Sequence, residues 1–343
     1  MLHDTLIRTS VLLIAVSCVL GGCSSSRRIS GPEGGDAESQ VSVQAREQRI
    51  SALMQEAREN RARGLNDNAL AGFGRAIEEN PMLTEAHLGM GDIFRERGTY
   101  QSAMNAYRRA IFADPNNFDA RYYHGLTAHL MGKIGEAVAS YQRALVIRPE
   151  SFIANREIAT ALLQDGRHED AVAYAEKAVE LDAESQMAWA NLAVAYFYSG
   201  QFDQAVAAYR QTLELGDPQT PILLGLADSH MRLRNFQRAE NVLRAVVREE
   251  SGNPIAQERL AVVLFQQQRF EESRQAYVSV LRSSPNDTAA LNGLGVSLMA
   301  LYLAGGENDE KLRHQALASW RKSLQIRPDQ NMLIDLISRY SKE

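Results

Sequence analysis

Seven histidines, two cysteines and two short glycine clusters are the residues of this chain whose types could do chemistry. A metal site needs His, Cys or carboxylate ligands at a fixed spacing, and a metalloprotease helix needs HExxH. The sequence has no HExxH, and His87, His124, His129 and His230 stand apart, without carboxylate and Cys partners at ligand spacing. They read as structural histidines, His87 and His124 at packing positions. Gly72-Phe73-Gly74 and Gly293-Leu294-Gly295 carry part of the spacing of a phosphate-cradling loop, but each stands inside a helical pattern with no strand before it. They read as packing glycines. No acid, base, nucleophile and orienting group converge by any spacing, so neither catalysis, nor a metal, nor an organic cofactor is expected.

The cysteines, Cys18 and Cys23, are close together near the N-terminus. Val11 to Leu20 (VLLIAVSCVL) is an apolar run too short to span a bilayer but suited to a signal-peptide core, with Arg8 ahead of it offset by Asp4. Leu20-Gly21-Gly22-Cys23 follows, then Ser24-Ser25-Ser26. This resembles the lipobox of bacterial lipoproteins. The resemblance implies cleavage before Cys23, lipidation of its sulfur and acylation of the new N-terminus. Ser24, where Asp would retain the protein in the inner membrane, resembles the signal for outer-membrane export, and the protein would then face the periplasm. Two or three acyl chains, at about 0.8 kcal/mol per buried methylene, hold almost irreversibly where one is marginal.

Composition bounds the rest. A chain of 343 residues, 45% hydrophobic and 23% charged, can bury a large core, and 37 Lys and Arg against 42 Asp and Glu give a net charge of −5. With no long basic run, nucleic acid is not an expected partner. Ser24 to Gln44 is rich in Ser and Gly and reads as a flexible tether reaching on the order of 25 Å.

The elements that must position any site come from a repeat. Units of 34 residues starting at Ile50, Thr84, Phe118, Phe152, Gln186, Thr220, Pro254 and Thr288 place a small residue eighth in every case: Ala57, Gly91, Gly125, Ala159, Ala193, Ala227, Ala261 and Gly295. The twentieth is Ala or Ser, from Ala69 to Ser273, then Ala316 once a nine-residue insertion in the last unit is allowed. The twenty-fourth is Phe73, Tyr107, Tyr141, Ala175, Tyr209, Leu243, Tyr277 and Trp320. Each unit reads as two amphipathic helices with the small residues at their crossing. Gly64, Gly98, Gly132, Gly166 and Gly200 suit left-handed C-caps, replaced by Arg234 and Gln268 in units six and seven. Asn117, Ser151, Ser185, Asn253 and Asp287 are N-cap residues. The insertion around 302–313 reads as an enlarged loop or extended helices, and Ile334, Ile337, Ser338 and Tyr340 continue the first-helix pattern as a cap.

These units resemble tetratricopeptide (TPR) repeats. The resemblance implies an all-α, right-handed superhelical solenoid of about eight helix-turn-helix units with a C-terminal capping helix. The expected organisation is a signal peptide at 1–22, lipidated Cys23 and tether at 23–45, the solenoid at 46–330 and the cap at 331–343. In the family the concave groove is lined by positions 2, 5, 9, 12 and 13 of each first helix. Carried onto this chain, that implies a partner-binding groove of Tyr122, Leu126, His129, Arg156, Thr160, Leu163, Asn191, Val194, Phe197, Met231, Val262 and Phe265, with Tyr198 beside them. This stripe is apolar and aromatic, and the Lys and Asn clamp of chaperone-binding TPR proteins is not reproduced. The expected protein is a lipid-anchored envelope scaffold that holds a protein or peptide in its groove. By its architecture of lipobox, tether and repeats it resembles lipoproteins that assist pilus or secretion-complex assembly. An adaptor for cell-wall hydrolases or proteases is the alternative, and an enzyme is the least supported reading.

Overall fold

A computed structural model of the protein describes residues 34–341, with side-chain surroundings from Ser42 onward. Cys23, the signal peptide and the start of the tether lie outside the described residues. The described residues form seventeen helices and no strand. They are α1 (Gly34–Ala62), α2 (Asn66–Glu79), α3 (Thr84–Glu96), α4 (Tyr100–Ala113), α5 (Phe118–Leu130), α6 (Ile134–Ile147), α7 (Phe152–Gln164), α8 (His168–Leu181) and α9 (Gln186–Tyr198). Then follow α10 (Phe202–Glu214), α11 (Thr220–Arg232), α12 (Phe236–Glu249), α13 (Pro254–Gln266), α14 (Phe270–Ser283), α15 (Thr288–Ala304), α16 (Glu310–Ile326) and α17 (Asn331–Tyr340). From α3 to α15 every first helix begins at the residue with which the 34-residue register opens its unit. From α2 to α17 each helix packs on the next in chain order, as expected of a superhelical TPR array.

Local chemistry accounts for these boundaries. The side chains of Asn117, Ser151, Ser185, Asn253 and Asp287 each accept a hydrogen bond from the backbone N–H three residues on, at 2.9 to 3.4 Å. At the turns inside units one to five, Gly64, Gly98, Gly132, Gly166 and Gly200 have φ of 71 to 78°, a region glycine enters without steric cost. Arg234 and Gln268 adopt the same conformation, at φ 58° and 63°, despite their β-carbons.

The ring at position 24 locks helices together, within its unit or with the next. Where a unit has an aromatic residue there, one glycine receives it, on one side or the other. Tyr107, Tyr141 and Trp320 lie against Gly91, Gly125 and Gly295 of their own first helix. Phe73, Tyr209 and Tyr277 lie against Gly89, Gly225 and Gly293 of the next unit. A β-carbon at any of these six glycines would come within 2.1 to 2.8 Å of the ring. The two units without a ring, at Ala175 and Leu243, have Ala159 and Asn191, and Ala227 and Arg259, at the corresponding places.

Two expectations change, for the tether and for the cap, and the insertion takes one of its two expected forms. The stretch from Gly34 to Gln44, assigned by composition to the flexible tether, is the start of α1. Ala, Glu and Gln in GGDAESQVSVQ favour helix, and the segment has no apolar face to bury; Ser42, Val43 and Gln44 are exposed. The array proper forms one compact unit, Ala52–Glu343. The insertion lengthens both helices of unit eight, α15 and α16, to 17 residues each, around a turn at Gly306 and Glu307. In α17, Leu333 is the buried residue, with Ile337 and Tyr340 packed beside it, whereas Ile334 points outward.

Candidate functional site: the inner face of the first helices

First helices of neighbouring units touch each other directly, as α3 with α5, α5 with α7, α7 with α9, α9 with α11 and α13 with α15. Second helices of neighbouring units make no comparable contact among the described residues. The array is therefore narrower on the side of the first helices, which line its inner face.

Of the expected groove residues, Tyr122 is corrected. Its side chain is only 7% exposed, stacked on Phe118 with ring centroids 5.9 Å apart and tilted against Tyr141 at 5.9 Å. Burial, with the nearby Glu157 carboxylate, pushes its phenol up to about 12. Phe118 and Tyr141 give the ring an apolar site within the helix stack, so it packs inward and offers nothing to a guest. Leu126, Leu163, Val194, Met231 and Val262 are half-buried against core clusters and present one edge each. Phe197 and Phe265 are also half-buried and close the turn of their own units, against Phe202 at 5.7 Å and Phe270 at 5.1 Å.

The polar residues of the stripe are satisfied by one another. His129 Nε2 pairs with Gln164 Oε1 at 2.8 Å. Arg156 is held by Glu157 at 2.5 Å, Thr160 Oγ1 donates to the Arg156 carbonyl at 3.0 Å, and Asn191 Nδ2 donates to Thr160 Oγ1 at 2.8 Å. Further along, Arg259 pairs with Asp228 at 2.9 Å, and burial raises that carboxyl above its ordinary value against the opposing pull of Arg259. His129–Gln164, Asn191–Thr160 and Arg259–Asp228 link successive units and the other bonds lie within α7, so little polar capacity remains for a ligand.

What stays open is apolar, and much of it sequence reasoning passed over. Met187 is 59% exposed and Tyr198 61% exposed, and Leu130, Ile153 and Ile255 are exposed as well. These residues occupy positions 2 and 13 of their units, whereas the rest of the stripe was drawn from positions 5, 6, 9 and 12. Position 2 was the available signal: Ile153, Met187 and Ile255 recur there in three units of the central array. Tyr198 stacks on His168 of the preceding unit at 4.4 Å, which holds the ring in place with its other face to solvent.

The N-terminal end of the same face differs. A cavity of about 610 Å³ there is lined by Met54, Arg58, Arg61, Glu85, Leu88 and Asp92. Arg58 pairs with Glu85, and Arg61 with Asp92 and Glu96, both at 2.9 Å. Tyr107 Oη donates to Asp92 at 2.7 Å. The charges are balanced, and the cavity floor is apolar. Among the described residues no group of three or more His, Cys, Asp or Glu is placed to hold a metal, and no helix is long and apolar enough to cross a membrane.

Comparison with known proteins agrees with this architecture. Family models for the tetratricopeptide repeat match residues 124–188 and 224–288 in one case, 91–132 in a second and 162–228 in a third, an unbroken run from 91 to 288. A search of curated proteins finds no match. Among solved structures, pilF of Pseudomonas aeruginosa is 19% identical with a TM-score of 0.50, the match covering 62% of this chain and 97% of that one. Naa15/Naa10 bound to HypK-THB is 17% identical with a TM-score of 0.52, covering 86% of this chain and 44% of that one. YrrB, described as a TPR protein with an unusual peptide-binding site, is 19% identical with a TM-score of 0.47, covering 57% of this chain and 96% of that one. At these identities the likeness concerns the fold.

Proposed function

Because the chain is a tetratricopeptide repeat protein, we propose that it is a binding scaffold whose inner face holds an apolar segment of a protein partner, and that a lipid on Cys23 fixes it to the bacterial envelope, at the outer membrane facing the periplasm. One observation carries the binding reading: along the central first helices the polar side chains are paired with one another, while Leu130, Ile153, Met187, Tyr198 and Ile255 are left exposed. Apolar anchors on a rigid repeat surface suit an amphipathic helix or an extended apolar segment. The finer role is assistance in assembling a pilus or secretion complex, supported by the combination of lipobox, N-terminal segment and tandem repeats.

The test is affinity capture from detergent-solubilised envelopes with the full chain, comparing it with the double variant Met187→Ser, Tyr198→Ser. These side chains are exposed, so the fold should survive. A partner held by the parent and lost by the variant is the expected result; an unchanged set of captured proteins with unchanged circular dichroism would overturn it. Phe197→Glu or Phe265→Glu would be a poorer probe, because those rings pack against Phe202 and Phe270. Separately, Cys23→Ser should release the protein from membranes. Deletion of the gene should remove surface appendages or a secreted product; altered wall cross-linking instead would favour the adaptor role.

A further inference from the structure

A second cleft lies away from the inner face, between α10, α11 and α12. It has a volume of about 340 Å³ and is lined by Arg210, Leu226, His230, Arg238, Asn241 and Val242. His230 is 6% exposed, its Nδ1 is buried without a hydrogen-bond partner, and Arg210 and Arg238 stand at the mouth. Among the described residues neither arginine has an ion-pair partner. Gln237 Nε2 donates to Asn241 Oδ1 at 3.3 Å, which leaves the Asn241 NH₂ as a further donor. Arg238 is also in the first turn of α12, where the helix dipole adds positive potential.

The same register three units earlier carries a comparable cleft, its histidine at the place of Leu226 and not of His230. There Arg108, His124 and Arg143 line a cavity of about 300 Å³ together with Glu136. The Glu136 carboxylate is 3.7 Å from His124 Nε2, 4.0 Å from Arg108 and 3.9 Å from Lys133. Arg210 occupies the place of Arg108 in its unit, but the place of Glu136 is taken by Arg238. In unit three the chain supplies its own carboxylate to the cations; in unit six it supplies another cation. Burial, then Arg238 and Arg210, hold the His230 imidazole below its ordinary value, and no carboxylate lines this cleft among the described residues.

We propose that the cleft of α10, α11 and α12 binds one oxyanion group, a phosphate or a carboxylate, between Arg210 and Arg238, with His230 and Asn241 behind it. Guanidinium forks match the geometry of both anions, and an anion seated there takes the position that Glu136 holds in unit three. The site is independent of the groove, so either can fail without the other.

The test uses the full chain with ¹³C-labelled histidine, titrated with inorganic phosphate and, in a second arm, with acetate, at ionic strength held constant with chloride. The His230 ring resonance, assigned by its loss in His230→Leu, should shift saturably with phosphate, acetate or both, and its titration midpoint should rise. The arm that saturates names the anion. Arg210→Gln and Arg238→Gln should each weaken the response about tenfold, the loss of one charge-assisted hydrogen bond, while Arg108→Gln leaves it unchanged. Arg238→Glu, which copies the arrangement at Glu136, should abolish saturable binding and raise thermal stability in chloride buffer. A His230 response no larger than with chloride alone, or one that survives both glutamine variants, would overturn the proposal.

Discussion

The Tyr277 ring occupies the space that a side chain at Gly293 would need: a β-carbon there would come within 2.1 Å of the ring's Cζ. Tyr277 is buried and cannot swing aside. Gly293→Ala should therefore cost about 1–3 kcal/mol in chemical denaturation, the range for overpacking a filled site. One unit earlier the same two register positions hold Leu243 and Arg259, so leucine is compatible with a side chain at the second position and Tyr277→Leu should relieve the clash. A double-mutant cycle should show a coupling of about 1 kcal/mol or more; strict additivity would refute the pairing of ring and glycine.

Arg234 and Gln268 do at the turn what glycine does in units one to five, at φ 58° and 63°. A non-glycine residue in this region carries a cost of about 1–2 kcal/mol. Arg234→Gly and Gln268→Gly should each raise the thermal midpoint, with a net gain of about 1 kcal/mol or less because glycine also frees the unfolded chain. Gly132→Ala, at φ 71°, should move the midpoint the other way.

Glu240 is 3% exposed, joins unit six to unit seven through Arg269 at 2.8 Å and pairs with Arg244 of its own helix at 2.7 Å. Burial pushes its carboxyl up, but the hydrogen bonds from Arg244 and Arg269 outweigh this and hold it below the usual value. Removing Arg269 leaves a buried charge short of its partner, and Arg269→Ala should cost about 3 kcal/mol, the lower end of the range for a broken buried pair, since Arg269 itself is partly exposed. Glu240→Leu together with Arg269→Leu should cost less than that single change, measured by urea denaturation.

Stability should also depend on the two buried histidines. Burial holds both His124 and His230 below their ordinary value; nearby arginines add to this, and at His124 the Glu136 carboxylate works against it. In the unfolded chain both titrate near about 6.5. As the pH falls through that value the unfolded chain takes up protons that the folded chain refuses, so stability drops; above it this contribution is constant. Thermal midpoints in phosphate-free buffer should fall between about pH 7.5 and 5.5, and His230→Leu should flatten that slope. The Glu240 contribution lies in a separate, more acid window, lost as the pH falls below the ordinary carboxylate range.

Position along a helix decides which way a side chain points, and the register placed Leu126, Val194 and Val262 on first helices, where each is half-buried against a core cluster. Periodicity does not say how far neighbouring units close over a given residue. Tyr122 sits at a groove position yet is swallowed by Phe118 and Tyr141, while Met187 and Tyr198 stay open. Nor does it say that Arg156 would be neutralised by Glu157, the residue beside it.

By itself the sequence determined the helix-pair repeat, the start of each first helix from Thr84 to Thr288, the capping side chains and the left-handed turns. All of these depend on interactions within a few residues, which the order of amino acids specifies directly. Only the tertiary structure decided which glycine receives each ring, how deeply each inner residue is covered, and that Arg210, His230 and Arg238 meet with no carboxylate between them. Those outcomes depend on how closely successive units stack, a distance set by the packing of all their side chains at once.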